Sequence, residues 1–171
     1  MVQCSSCTMI NWKKLGIAIP VTAIVNMFVL YGLFMNPVSQ EIIFSESIGQ
    51  SPKLVAVWTQ IEPIPQVTSL IPALIITPII FSFFFAILYD SIPGHSKVKK
   101  GLTYAIILWG TIAVFFELFT PLGLFGEPLH LLAYELLLWF VAMITVSMIL
   151  SSIYSPKLIS NEHSLKFSKK V

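Results

Sequence analysis

Four long hydrophobic runs constrain this chain more than any other feature of its sequence. A run of about 20 apolar residues is long enough to cross a bilayer as an α-helix. The four runs hold 92 of the 171 residues but only two of the 18 charged residues. We therefore predict an all-α, polytopic membrane protein with a single membrane domain. Its four transmembrane helices are expected to form one bundle, with spans at about 15–35, 67–89, 101–122 and 129–154.

The overall composition argues against two other classes of protein. Only 11% of the residues are charged, whereas a soluble domain usually has about 25%. The net charge is +2 and the chain contains no Arg, which leaves no dense basic face for nucleic acid. The expected partners are the lipid bilayer and either other protein subunits or further copies of this chain, and no nucleic acid.

The lysines predict the orientation of the spans, because positively charged residues favour the cytoplasmic side of a membrane. Nine of the ten lysines precede the first span, lie between the second and third, or follow the fourth. Lys53 alone lies in the opposite segments. We predict a multi-pass protein of the plasma membrane whose two termini, including the tail 155–171, are cytoplasmic. The Lys- and Ile-rich composition suits a prokaryotic source.

The segment 36–66 is the only long connection between spans, and it is predicted to lie outside the cell. Within it, Ser51-Pro52 has the pattern of a helix N-cap followed by proline at the first helical position. The apolar residues after it are spaced to share one helical face, so we predict a short interfacial helix over 52–61. An irregular loop with a few apolar anchors is the alternative.

Small and polar residues favour close helix packing in lipid. Each span has one stripe of such residues at helical spacing, and we expect these stripes to face the interior. The stripes are Ala18, Thr22 and Asn26; Ser69, Ala73 and Thr77; Gly110, Ala113 and Glu117; and Glu135, Ala142 and Thr145.

Glu117 and Glu135 are the most informative residues, because a carboxylate inside a membrane segment is costly and points to function. Both lie on predicted interior stripes at similar depth. One hypothesis is a proton or cation path through the two carboxyls. The alternative is that they are protonated, or hydrogen-bonded to neighbouring helices. Asn26 has the same two interpretations, as part of a polar path or as a residue that joins helices.

A mononuclear metal site is a further hypothesis, built on the E-x-x-H spacing of Glu127 and His130 together with Glu117 and Glu135. The chain has no phosphate-binding loop, dinucleotide fingerprint or nucleophile elbow, so no cofactor is predicted and an enzyme is not favoured. Cys4 and Cys7 have C-x-x-C spacing but fall on the predicted cytoplasmic side, where thiols stay reduced. They are expected to be incidental or to form half of a site shared between subunits.

The stretch Tyr89-Asp90-Ser91-Ile92-Pro93-Gly94, with Lys100-Gly101-Leu102-Thr103-Tyr104 and Leu108-Trp109-Gly110, resembles a pattern in small uncharacterised four-helix membrane proteins of archaea and bacteria. The resemblance implies a four-helix membrane fold and carries no activity or site residues with it.

The sequence leaves three functions open. The first is an accessory or structural subunit of a membrane complex, since the segments outside the membrane are small. The second is a small oligomeric transporter or channel with a path through Glu117 and Glu135. The third is a metal-dependent membrane enzyme.

Overall fold

The computed structural model describes residues 8–60 and 71–158. This part of the chain is helical, apart from one pair of two-residue strands. In chain order the elements are β1 (Thr8–Met9), α1 (Trp12–Phe34), α2 (Pro37–Phe44), α3 (Pro52–Thr59), α4 (Ile71–Leu88), α5 (Lys97–Leu124), α6 (Leu129–Ile153) and β2 (Lys157–Leu158). Helix α5 contains two π-helical stretches, Trp109–Ala113 and Leu118–Leu124.

Four helices, α1, α4, α5 and α6, are long and apolar enough to cross a membrane, which confirms that prediction. In the most apolar window of each, only 17% to 39% of the residues are buried inside the protein. Large apolar side chains therefore cover the remaining faces. Such continuous apolar surface is unfavourable in water and suits contact with lipid.

Several helices begin at polar caps that the sequence provides. The side chain of Asn11 accepts a hydrogen bond from the Lys14 backbone N–H, at 3.2 Å, and so starts α1. Asn36 caps α2 in the same way, with Pro37 at the first helical position. Ser96 caps α5. These caps satisfy backbone donors that a helix leaves free at its N-terminus.

Helix α1 packs against α4 and α6, and α5 packs against α6. An aromatic cluster joins them: the ring of Phe85 lies edge-on to Tyr104 and Tyr154, with centroid distances of 5.0 and 6.0 Å. The buried Tyr104 hydroxyl donates to the Phe81 carbonyl at 2.7 Å. The cluster fills the core with large side chains, and the buried Tyr104 hydroxyl has a hydrogen-bond partner.

The stripe predicted for the second span is wrong where the structure describes it. Ala73 is exposed and Thr77 is half-buried, and Ser69 lies outside the described residues. The buried face of α4 instead combines two large aromatic side chains with smaller residues: Pro78, Phe81, Ser82, Phe85 and Ala86. The packing of Phe85 in the aromatic cluster and the contact of Ser82 with Thr22 on α1 fit this rotation of α4. In α5, Gly110 is also exposed, whereas Ala113 and Glu117 are buried.

The two ends of the described chain meet at one end of the molecule, which we call the terminal end. Strands β1 and β2 pair antiparallel there, with Thr8 opposite Leu158. The Lys100 ammonium, also at this end, donates to the backbone carbonyls of Tyr89 and Ile92. These carbonyls follow α4, where a helix leaves acceptors without partners.

Helices α2 and α3 lie at the opposite end, which we call the loop end. Ser39 on α2 is hydrogen-bonded to the Tyr134 hydroxyl at 2.9 Å, and the Ser51 hydroxyl donates to the Phe125 carbonyl. Helix α3 covers most of the interval 52–61 and buries Leu54 against the protein. Helix α2 was not predicted, although Asn36-Pro37 is the same kind of start signal as Ser51-Pro52.

Candidate functional site

Three glutamate side chains from different parts of the chain meet near the loop end. Glu117 lies in α5, Glu127 in the connection that follows it, and Glu135 in α6. One carboxyl oxygen from each lies within 4.8 Å of the other two, and all three side chains are buried. We call these residues the carboxylate triad. Glu135 lies about 9 Å along α6 from its first residue, at 1.5 Å per residue.

The connection between α5 and α6 brings Glu127 back over the end of α5. Gly126 has a φ of 70°, a left-handed conformation that glycine adopts at little cost. The backbone N–H groups of Gly126 and Glu127 then donate to the carbonyls of Leu122 and Pro121, both at 3.0 Å. This reversal places the Glu127 side chain inside the molecule rather than in the solvent.

Each of the two most buried carboxyls is held by one neutral donor. The Trp139 indole N–H donates to Glu117 Oε1 at 2.6 Å, and the Gln50 amide donates to Glu127 Oε1 at 2.8 Å. The carboxyl of Glu135 is hydrogen-bonded to both Glu117 and Glu127. Outside the triad, the second oxygens, Glu117 Oε2 and Glu127 Oε2, are buried and have no donor in the part of the chain that the structure describes. Both residues are only 1% exposed. A protonated Glu135 has a single O–H donor, so at least one buried acceptor of the site is available to a ligand.

Gln50 is a site residue that the sequence did not indicate. Its amide nitrogen also donates to the Ile43 carbonyl at 2.7 Å, and its Oε1 accepts the Ser51 N–H at 2.7 Å. These bonds fix a side chain that is 2% exposed. The contact with Glu127 joins residues 77 positions apart, and a single Gln in a loop carries no pattern that predicts it.

His130, the fourth residue of the predicted metal site, is not among the clustered ligand atoms. His130 is exposed, and its Nε2 donates to the Ile48 carbonyl at 3.0 Å, so the E-x-x-H spacing does not bring it into the group of close ligand atoms. Asn26 is 7% exposed, on the buried face of α1 that also carries Thr22. Cys4 and Cys7 lie outside the described residues.

Burial raises the pKa of Glu127 above its ordinary value, and the hydrogen bond from Gln50 offsets part of that shift. A carboxylate loses favourable hydration when it leaves water, which disfavours its charged form and therefore raises the pKa. Three ionised carboxyls with only an indole and an amide as donors would repel one another strongly. Such a group of carboxyls is stabilised either by protonation, with hydrogen bonds between the carboxyls, or by a positive charge held among them.

A comparison of the chain with protein-family models, with curated proteins and with solved structures finds no significant match. The predicted resemblance to small four-helix membrane proteins therefore stays a prediction. Arguments about function depend on the triad and on the fold around it.

Proposed function

We propose that this protein is a small cation transporter or channel whose binding site is the carboxylate triad. The observation that carries the proposal is the meeting of three buried carboxyls within 4.8 Å in a protein with four helices long and apolar enough to cross a membrane. A charged side chain at membrane depth costs several kcal/mol unless it is paired. A bound cation supplies the missing partner and offsets the free energy lost by burying the carboxylates.

Polar groups deeper in the interior support a path from the triad toward the terminal end. The hydroxyls of Thr22 and Ser82 are 3.2 Å apart and buried between α1 and α4. The Ser147 hydroxyl on α6 is buried, with no hydrogen-bond partner among the described residues. It lies about 18 Å along the helix from Glu135, at 1.5 Å per residue. Hydroxyl oxygens at these depths are ligands for a passing cation.

The proposed arrangement in the membrane follows the lysines. The four helices cross the plasma membrane of a prokaryotic cell as one bundle, with the terminal end in the cytoplasm and the triad near the outer face. Four helices enclose little space, so several copies of the chain are proposed to assemble around the path.

Flux through reconstituted protein tests the proposal. Purified protein in liposomes, with a potassium diffusion potential that is negative inside, is expected to take up at least one of H⁺, Na⁺ and Ca²⁺, as reported by enclosed dyes. Glu117→Gln and Glu135→Gln are expected to reduce uptake to the level of protein-free liposomes. Glu46→Gln, an exposed acid in the α2–α3 connection, is the matched control and should leave uptake unchanged. Equal uptake by wild type and both triad variants would contradict the proposal.

Purification in mild detergent separates this proposal from the prediction of an accessory subunit. A transporter is expected to purify as a homo-oligomer that is active when reconstituted. Another protein recovered at fixed stoichiometry, together with no flux from the purified chain, would favour the accessory subunit instead.

A further inference from the structure

We infer that the ion bound by Glu117, Glu127 and Glu135 is a divalent metal ion that prefers oxygen ligands, of the class of Ca²⁺, Mn²⁺ and Mg²⁺. The inference rests on the proposed function only in taking the triad as a cation site. It does not require that the ion crosses the membrane.

The spacing of the ligand atoms fits one ion in contact with all three residues. Two ligands on opposite sides of an ion are separated by twice the metal–oxygen distance, which is about 4.6–5.2 Å for Ca²⁺ and about 4.0–4.2 Å for Mg²⁺. The three carboxyl oxygens all lie within 4.8 Å of one another. At most one pair among three ligands can lie on opposite sides of an ion, and the other pairs must be closer. Separations that all stay within 4.8 Å are thus compatible with one shared ion of any of these sizes.

The shortage of donors around the triad is a second observation that points to a ligand. Glu117 Oε2 and Glu127 Oε2 are buried and have no donor among the described residues outside the triad. Glu135, which is hydrogen-bonded to both residues, has one O–H donor when protonated and cannot fully satisfy both oxygens. A buried acceptor left unpaired is costly. The other oxygen of each carboxyl is fixed by Trp139 or Gln50. Outer partners of this kind orient the carboxylates that bind a metal.

The donor set and its charge select the class of ion. When a cation binds and all three carboxyls are ionised, they carry a charge of −3, so a monovalent ion leaves −2 in a buried site, whereas a divalent ion leaves −1. His130, the nearest candidate nitrogen ligand in sequence, is instead hydrogen-bonded to the Ile48 carbonyl. A site made only of carboxylate oxygens suits Ca²⁺, Mg²⁺ and Mn²⁺ rather than metals that favour nitrogen and sulfur.

Mn²⁺ binding to the full-length protein in detergent tests the inference. Electron paramagnetic resonance of free Mn²⁺ should show one high-affinity site per chain, and Ca²⁺ should displace the bound ion. Glu117→Gln, Glu127→Gln and Glu135→Gln should each abolish high-affinity binding, and Glu46→Gln should not. Gln50→Ala should weaken binding by about 10- to 100-fold, because it removes only an outer partner of Glu127.

A second readout does not depend on the triad variants being folded. In a protein whose other tryptophans are replaced by Phe, Mn²⁺ should quench the fluorescence of Trp139, whose indole contacts Glu117. Ca²⁺ should restore that fluorescence. Ca²⁺-reversible quenching from the wild-type triad supports the site even where a glutamate variant fails to fold.

The failures of the two proposals can be told apart. Absence of Mn²⁺ and Ca²⁺ binding, or equal binding in wild type and the three triad variants, would overturn the divalent site, while Na⁺ or H⁺ flux could still uphold the transporter. Divalent binding without flux of any tested ion would overturn the transporter and uphold the site.

Discussion

Trp139 and Gln50 hold the triad from two directions, one from inside α6 and one from the α2–α3 connection. Each donates a hydrogen bond to an Oε1 atom, so the positions of Glu117 and Glu127 depend on side chains that are themselves packed or hydrogen-bonded. Trp139 packs on Phe34 with ring centroids 4.9 Å apart. The residues that hold the triad are thus themselves fixed by packing and hydrogen bonds, as a selective binding site requires.

Replacement of Trp139 by Phe is expected to cost about 1.5–3 kcal/mol of unfolding free energy, since it removes a hydrogen bond to an acidic group. Trp109→Phe is the matched control. Trp109 is also half-buried and paired with an aromatic ring, but its indole donates to the Leu136 carbonyl, a neutral acceptor. It should cost about 0.5–1.5 kcal/mol. Thermal or detergent-induced unfolding measures both, and equal losses would argue against a special role for the Glu117 contact.

Glu135→Gln should have opposite effects with and without divalent ions. In the presence of EDTA the variant should unfold at a higher temperature than the wild type, because one of three close carboxyls no longer repels the others. When Ca²⁺ is added at about 100 times its Kd, the free energy of unfolding of the wild type should rise by about 2.7 kcal/mol, and that of the variant should rise much less. Melting followed by tryptophan fluorescence gives both comparisons. Equal stabilisation of the two proteins by Ca²⁺ would be inconsistent with Glu135 as a ligand.

Among the elements, α5 is the least regular long helix, and its irregular parts flank Glu117. One π-helical stretch ends four residues before Glu117 and the other begins immediately after it, with Pro121 inside the second. Single π-turns are often found at functional sites, because they rotate the following side chains relative to a regular helix. The other end of α5 is regular and crosses α6 closely at Gly101.

The crossing at Gly101 predicts a difference between two Gly→Ala substitutions. A Cβ at residue 101 would meet the Ser151 side chain and lie 3.1 Å from Met148 Sδ, so Gly101→Ala should cost about 1–3 kcal/mol. A Cβ at Gly16 meets nothing within 4 Å, so Gly16→Ala should be neutral or stabilise α1 by up to about 1 kcal/mol. Detergent unfolding of the two variants compares them. If Gly101→Ala were as stable as Gly16→Ala, the α5–α6 crossing would have to be wider than described.

Hydropathy was enough to predict the long helices, because each must carry about 20 apolar residues whatever it packs against. It was not enough to predict how they are rotated. The α4 stripe failed at Ala73 because the face that α4 buries is the one with Phe85 in the aromatic cluster and Ser82 against Thr22, which local hydropathy does not distinguish.

The site was predictable only in part for a similar reason. Glu117 and Glu135 stand out as acids within apolar runs, and the interior stripes place them on facing sides of two helices. Glu127 was a candidate metal ligand from its spacing to His130, although the reversal at Gly126 is what turns it inward. The position of Gln50 depends on how a long connection folds over the loop end, and local sequence does not encode such a contact.

At the scale of the whole molecule, the proposed orientation predicts which cysteines can be labelled from outside the cell. An impermeant maleimide should label Cys4 and Cys7 of the wild type only after the membrane is permeabilised. In a Cys4→Ser/Cys7→Ser background, Ser47→Cys should be labelled in intact cells, since Ser47 is exposed in the α2–α3 connection. The reverse pattern would place the loop end in the cytoplasm and invert the proposed topology.

The pairing of β1 with β2 makes the described chain nearly a closed ring. Directly opposed residues of an antiparallel pair have Cα atoms about 5 Å apart, so Thr8 and Leu158 can be joined by a short linker. A circularly permuted chain opened between α4 and α5 would then run α5, α6, α1, α4. We expect it to retain the helix contacts and the triad, and a permuted protein that folds would show that this architecture does not require the two helical hairpins to be translated in their present order.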